Sequence, residues 1–211
     1  FSANGELRWS WQLQSENDTP LEIAFDSTGH LVTAFRLESL GFRVVKFSRR
    51  GVALWSSDYI HPVPSPFSEM GEYLYVRVHQ FGDVYVGTDG PVNCFLSQGT
   101  DPKLKCTTLP MLAKFHADGE LSWVSRLTVF TNLRPELRGM ALDPSGRTYL
   151  GGRLIPRDES KPGGFVAKLD MFGNQVWGGE YYHDSRVLFF QNLQSAGWNR
   201  VLVGGSLIEP L

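Results

Sequence analysis

Two segments of this chain carry the residue types that acid–base or ligand chemistry needs. Trp55 is followed by Asp58-Tyr59-Ile60-His61, and Trp177 by Glu180-Tyr181-Tyr182-His183-Asp184. Tyrosine, histidine and carboxylate held together can bind a sugar, a metal or an ion, and an imidazole can move a proton near neutral pH. The same residues also suit a strand end whose ring packs while its polar groups meet water. Tyr59, His61, Tyr181, Tyr182 and His183 are therefore binding candidates, and no residue is assigned a catalytic role.

Other chemistries find little support. None of the five histidines lies within four positions of another, and neither Gly-x-Ser-x-Gly nor His-Glu-x-x-His occurs. The 22 acidic residues could supply a carboxylate pair for glycoside cleavage, but no spacing selects one. Asp26, Asp143 and Asp170 stand in Asp-x-x-Gly turns, too sparse for the roughly six or more oxygens calcium takes, so turn capping is their expected role. Gly151-Gly152 and Gly204-Gly205 end apolar strands and open no helix, so no phosphate loop is expected. Cys94 and Cys106 lie in one Gly/Pro/Ser-rich stretch, Gly90 to Pro110. A disulfide stapling that stretch in an oxidising compartment is the first reading, and two free thiols in the cytosol the second. Two thiolates do not complete a zinc shell. No cofactor or metal is expected.

The elements that must position these residues come from internal repetition. One box pairs a turn glycine with tryptophan four residues on: Gly5 and Trp9, Gly51 and Trp55, Gly119 and Trp123, Gly173 and Trp177. Lys46, Lys114 and Lys168 stand five residues before three of those glycines. A second box alternates with it: Ala24-Phe25-Asp26-Ser27-Thr28-Gly29, a looser copy ending at Gly82, and Ala141-Leu142-Asp143-Pro144-Ser145-Gly146. In the fourth copy Asn199 takes the glycine's place, which the left-handed turn conformation tolerates. Each box reads as a hairpin, apolar alternation into a turn and out again. Two hairpins give a four-stranded unit, and turn glycines 46, 68 and 54 residues apart fit such units.

The expected fold is all-β, a β-propeller of four four-stranded blade repeats over 1–211, at about 1–13, 20–59, 72–129, 137–182 and 187–211. In the third repeat the strands A to D fall near 137–143, 147–153, 164–170 and 174–181. Each Trp is expected to pack between neighbouring blades. Three full C strands against four of each other kind favour part of a larger propeller, with a closed four-bladed ring as the alternative. Hydrophobic residues at 42%, charged residues at 20% and a formal net charge of −2 suit a folded domain with no general pull toward nucleic acid. No apolar run reaches the about 18 residues of a membrane helix. Without a leader after Phe1, the chain reads as a processed or cut piece.

The string Gly164-Phe165-Val166-Ala167-Lys168-Leu169-Asp170 through Gly173-Asn174-Gln175-Val176-Trp177, with Met140 to Gly146 and Tyr149-Leu150-Gly151-Gly152, resembles the bacterial SBBP family, the seven-bladed β-propeller repeat. That resemblance implies a propeller, often extracytoplasmic, and brings no catalytic residues. The expected location is extracellular, periplasmic or at the cell surface. The alternation of the two boxes also resembles quinoprotein dehydrogenase repeats, which would bring pyrroloquinoline quinone and calcium.

In such a fold the short A–B and C–D turns share one face and the longer B–C and D–A connections share the other. Residues 88–110, His61 to Phe67 and Ile155 to Pro162 form long connections on that second face. A rigid scaffold places binding residues on such loops. The expected function is a non-enzymatic scaffold or binding module for a protein or glycan partner. The alternatives are a fragment of a quinoprotein enzyme and a polysaccharide-binding domain using Tyr59, Tyr181 and Trp198.

Overall fold

Alternation of apolar and polar residues, cut by glycine-bearing turns, leaves the backbone little choice but antiparallel hairpins. The computed structural model describes residues 4, 6–7, 9–11, 20–37, 41–62, 73–96, 104–128, 133–156, 162–184 and 186–208. Every regular element among them is a strand. The first sheet holds β1 (Pro20–Phe25), β2 (Leu31–Leu37), β3 (Gly41–Phe47) and β4 (Ala53–Ile60). The second holds β5 (Leu74–Val78), β6 (Val84–Leu96), β7 (Leu104–Phe115) and β8 (Leu121–Arg126). The third holds β9 (Leu133–Leu142), β10 (Thr148–Pro156), β11 (Gly163–Leu169) and β12 (Gln175–Tyr181). Among the described residues β13 (Val187–Ser195) and β14 (Val201–Ile208) make the fourth. Within each sheet the strands pair antiparallel in sequence order.

Strand parity decides which sheets touch. In β2 and β3, Val32, Ala34, Phe42 and Val44 face the second sheet, where they meet Val76, Val84, Val86, Met111 and Phe115. Phe35, Val45 and Phe47 point the other way, onto Trp9. In the third sheet Leu150, Phe165, Ala167 and Leu169 face the second sheet, with Tyr85 and Leu112. Tyr149 and Val166 face the fourth, with Leu193. The sheets therefore stack face to face in sequence order, with an apolar layer in each gap. The central strands are buried on both faces, whereas β4 and β12 are largely exposed and β8 is mostly half-buried.

The turns follow the chemistry of their boxes. Asp26 Oδ1 accepts from the Thr28 and His30 N–H groups, each at 2.9 Å. Asp143 Oδ1 accepts from Ser145 and Arg147, and Asp170 Oδ1 from Phe172 and Asn174. Desolvation pushes the Asp26 carboxyl up, but hydrogen bonds from Thr28, His30 and Lys46 outweigh it and hold it below the usual carboxylate range. Asn199 takes the turn position with φ of 60°.

The Gly-to-Trp spacing has two causes. The first lies within each sheet. Lys46 pairs with Trp55, Lys114 with Trp123 and Lys168 with Trp177, and in each case a bulge follows directly beside the lysine. The lysines lie buried: Lys46 meets Asp26 at 3.0 Å, Lys114 meets Asp83 at 2.8 Å, and Lys168 donates to Asn199 Oδ1. The second cause lies between sheets. The Trp55 indole covers Gly119 of the next sheet, so a Cβ there would lie 2.7 Å from its ring. Trp9 covers Gly51 and Trp123 covers Gly173 in the same way. The Nε1–H groups of Trp9 and Trp55 donate to the Arg49 and Ala117 carbonyls. Trp177 differs, being 40% exposed with its ring 6.5 Å from that of Tyr149.

One expected connection is a ribbon. Instead of a long loop over 88–110, β6 and β7 run on as a hairpin to Leu96 and from Leu104. The backbone register sets Cys94 opposite Cys106. Their side chains lie outside the described residues, as do residues 63–70 and 157–161 of the other two connections.

Candidate functional site

The sequence-predicted residues separate into two groups. Tyr59, on β4, and His61, just after it, are 7% and 3% exposed, between the outer strands of the first two sheets. Arg126 on β8 donates to His61 Nε2 at 2.7 Å and reaches the Tyr59 hydroxyl at 3.4 Å. Burial and the Arg126 charge push the imidazole down to about 4, so at neutral pH it accepts that bond as a neutral ring. The Tyr59 ring lies against Phe42 and His61. These groups tie sheet to sheet, with Tyr59 and His61 buried and Arg126 half-buried.

Tyr181, Tyr182 and His183, at the end of β12, are exposed. Tyr181 sits edge-on to Phe190 of the fourth sheet, with ring centroids 5.6 Å apart. Tyr182 donates to Glu180 Oε2 at 2.6 Å, and burial together with that carboxylate pushes its hydroxyl up to about 12. The two look-alike segments thus serve different environments: one seals a gap between sheets, the other borders the two-stranded sheet.

A different group of residues converges at the start of the inner strands. A cavity of about 500 Å3 is lined by Tyr73, Tyr75, Arg138, Arg153, Phe189, Gln191 and Ile208. Tyr73 directly precedes β5, Arg153 lies near the end of β10, and Phe189 lies near the start of β13. The cavity therefore sits at the end of the sheets from which the B–C and D–A connections leave.

Its charge is built around Glu136. Arg138 Nη2 donates to Glu136 Oε2 at 2.7 Å, and Arg153 Nε donates to the same oxygen at 2.6 Å. Arg134 lies 3.7 Å from the other oxygen. Desolvation pushes the Glu136 carboxyl up, but the Arg153 and Arg138 bonds hold it below the usual carboxylate range. Arg138 and Arg153 line the cavity and no carboxylate does, so its surface is positive. Arg138 lies over the Tyr73 ring at 4.4 Å and Arg153 over Phe189 at 5.9 Å, so both are held by flat faces as well as by charge.

Behind this group lies Asp89, 6% exposed, whose two oxygens accept from the Leu137 N–H at 3.1 Å. Desolvation drives its pKa up to about 7; the Leu137 bond opposes this and the Glu136 charge adds to it. Glu22 treats the preceding inner strand alike, accepting from the Val76 N–H and from Arg77. Inner strands have one open edge, and these carboxylates occupy its donors.

Bulges aim the lining residues. Gly151 pairs with Gly139 and Gly152 with Leu137, so Arg138 is the extra residue of a bulge. Phe190 pairs with Gly205 and Asn192 with Gly204, so Gln191 is its counterpart in the fourth sheet. A Cβ on Gly152 would run into the Glu136 carbonyl, and one on Gly205 into that of Phe189. The two Gly-Gly pairs thus lie inside strands and not at their ends. A glycine pair in a strand can mark a bulge, a signal that reading these pairs as strand ends passes over. Arg138, Arg153 and Tyr73 had no motif of their own.

Among the described residues no cluster of three or more His, Cys, Asp or Glu side chains could hold a metal ion. No family model matches the chain. No curated protein matches it. A solved structure, a protein of unknown function from Bacteroides caccae, is similar over 95% of this chain at 15% identity and a TM-score of 0.52. The chain spans 57% of that protein's length. At this identity the likeness is one of fold, and it joins the strands described above in making this an all-β protein of stacked antiparallel sheets.

Proposed function

We propose that this chain is a non-enzymatic binding module built as consecutive blades of a β-propeller, part of a larger ring, and that it takes its ligand in the Arg138–Arg153 cavity. The observation that carries this reading is the convergence of Arg138, Arg153, Tyr73 and Phe189 from three sheets around one cavity. Strands hold Arg138, Arg153 and Phe189, and Tyr73 directly precedes one; a concave site with few fixed polar groups is how small-ligand sites are made. The blade reading is supported by contacts of β1 with β5, β5 with β9 and β9 with β13, first strand to first strand. The larger ring is supported by the exposure of Trp177, whose equivalents Trp9, Trp55 and Trp123 each lie over a turn glycine. The SBBP resemblance belongs to the same reading.

The test is a fragment screen on the whole chain followed by NMR mapping. Perturbations should gather at Tyr73, Arg153 and Phe189. Hits confined to the opposite end of the sheets, around Gly29 and Gly146, would refute it.

An extracytoplasmic location goes with a Cys94–Cys106 disulfide, which the opposed register of β6 and β7 supports. Thiol titration of the denatured, non-reduced protein should find no free thiol. Two thiols in protein purified from an oxidising compartment would defeat the bond.

A further inference from the structure

Four features of the cavity constrain its ligand more narrowly than binding alone. The first is sign. The cavity lining carries two guanidinium groups, Arg138 and Arg153, and no carboxylate, with Glu136 shared between them and Asp89 buried behind, so a cationic ligand is repelled and an anion is drawn in. The second is preorganisation. Arg138 gives one N–H to Glu136, Arg153 meets the same oxygen through Nε and Nη2, and the Tyr73 and Phe189 rings lie beside the two guanidinium groups. Each guanidinium carries five donors, so both retain donors in a fixed fork, the arrangement that meets a planar carboxylate.

The third feature is the flat apolar surface beside the charge. Tyr73 is 42% exposed and lies nearly parallel to Tyr75, with interplanar angle 18° and centroids 6.4 Å apart. A small inorganic anion would satisfy the arginines and leave these rings in water. The fourth is the hydroxyl and amide lining. Burial pushes the Tyr75 hydroxyl well above the usual tyrosine range, so it remains a neutral donor, and the bulge at Gln191 adds an amide. A ligand that uses all four features bears a carboxylate, a flat face of C–H groups and several hydroxyls.

We infer that the cavity binds an acidic saccharide, a uronate whose carboxylate bridges Arg138 and Arg153 while its ring lies against Tyr73. This rests on the binding-module reading above and adds the ligand class to it. The volume of about 500 Å3 suits a ligand of one or two sugar rings.

The experiment titrates the whole chain with digalacturonate, with the neutral disaccharide galactobiose and with inorganic phosphate, followed by calorimetry and 1H–15N NMR. Digalacturonate should perturb Tyr73, Arg138 and Arg153 and bind at least about tenfold more tightly than either control. Arg153→Gln should weaken digalacturonate by about tenfold or more. Tyr73→Leu, which keeps an apolar side chain at the rim, should weaken digalacturonate by a larger factor than it weakens phosphate. Its thermal midpoint checks that the fold is intact.

Equal affinity for galactobiose would remove the carboxylate from the account. Phosphate binding as tightly as digalacturonate would reduce the site to a plain anion pocket. Either result overturns the uronate assignment while the binding-module reading stands. Silence from all three probes, with fragments still mapping to Tyr73 and Arg153, overturns the assignment alone. Perturbations that map away from the cavity overturn both.

Discussion

At the scale of single residues, glycine does two separable jobs here. Gly119 has φ of +94° and lies under the Trp55 indole, whereas Gly197 has φ of +90° and nothing within 4 Å of a built Cβ. Alanine at either position must adopt a left-handed backbone, which costs about 1–2 kcal/mol. Only at Gly119 must it also displace an indole, which adds about 1–3 kcal/mol. Urea unfolding should therefore rank Gly119→Ala below Gly197→Ala by at least ~1 kcal/mol. Equal losses would mean that the tryptophan contributes nothing to that turn. His61 shows the limit of reading single residues: its type invited a chemical role, but its surroundings make it a neutral acceptor for Arg126.

At the scale of the element, strand parity and bulges do most of the positioning. The Arg138 bulge lets Leu137 and Met140 both face the second sheet, although an unbroken strand would send them to opposite faces. Gly152 permits this because its hydrogen leaves room for the Glu136 carbonyl. Gly152→Ala should cost about 3 kcal/mol or more and disturb the Arg153–Glu136 pair. Gly204, whose built Cβ lies 3.9 Å from its nearest neighbour, tests the contrast. Gly204→Ala should stay within about 0.5 kcal/mol of the parent or gain slightly, since alanine loses less entropy in a strand. Comparable losses at both sites would remove the bulge from the explanation.

At the scale of the whole molecule, two buried groups set opposing pH slopes. Asp89 has its pKa raised from 3.8 to about 7, so its contribution is full below about pH 4 and is lost as pH rises toward 7. His61 has its pKa lowered from 6.5 to about 4, so its contribution is present above pH 6.5 and is lost as pH falls toward 4. Each spans on the order of 3 kcal/mol, and over pH 4 to 6.5 they largely cancel. Asp89→Asn keeps an oxygen to accept from Leu137 and removes the first slope. The variant's stability should then rise with pH across that window by on the order of 1 kcal/mol per unit relative to the parent. Guanidinium unfolding at pH 4.5 and 6.5 measures this, and parallel pH profiles for parent and variant would contradict it.

Much of the architecture was legible because it is local. Turn glycines, capping aspartates and apolar alternation act within a few residues, so the hairpins, the strands of the third sheet and Asn199 in its turn follow from neighbouring side chains. The recurrent Gly-to-Trp interval also carried contacts between sheets, since one spacing served the gaps among the first three sheets and set Trp9 on the first. The cavity was not legible. Tyr73, Arg138, Arg153 and Phe189 come from segments far apart in the chain, and no interval along it relates them. Stacking brings those segments together, and bulges, marked in sequence only by a pair of glycines, turn Arg138 and Gln191 toward the common space. The local code thus determined the strands and their turns, and the tertiary packing alone decided which side chains share a site. Convergence between separate sheets is a property of distance in space, which sequence separation does not encode.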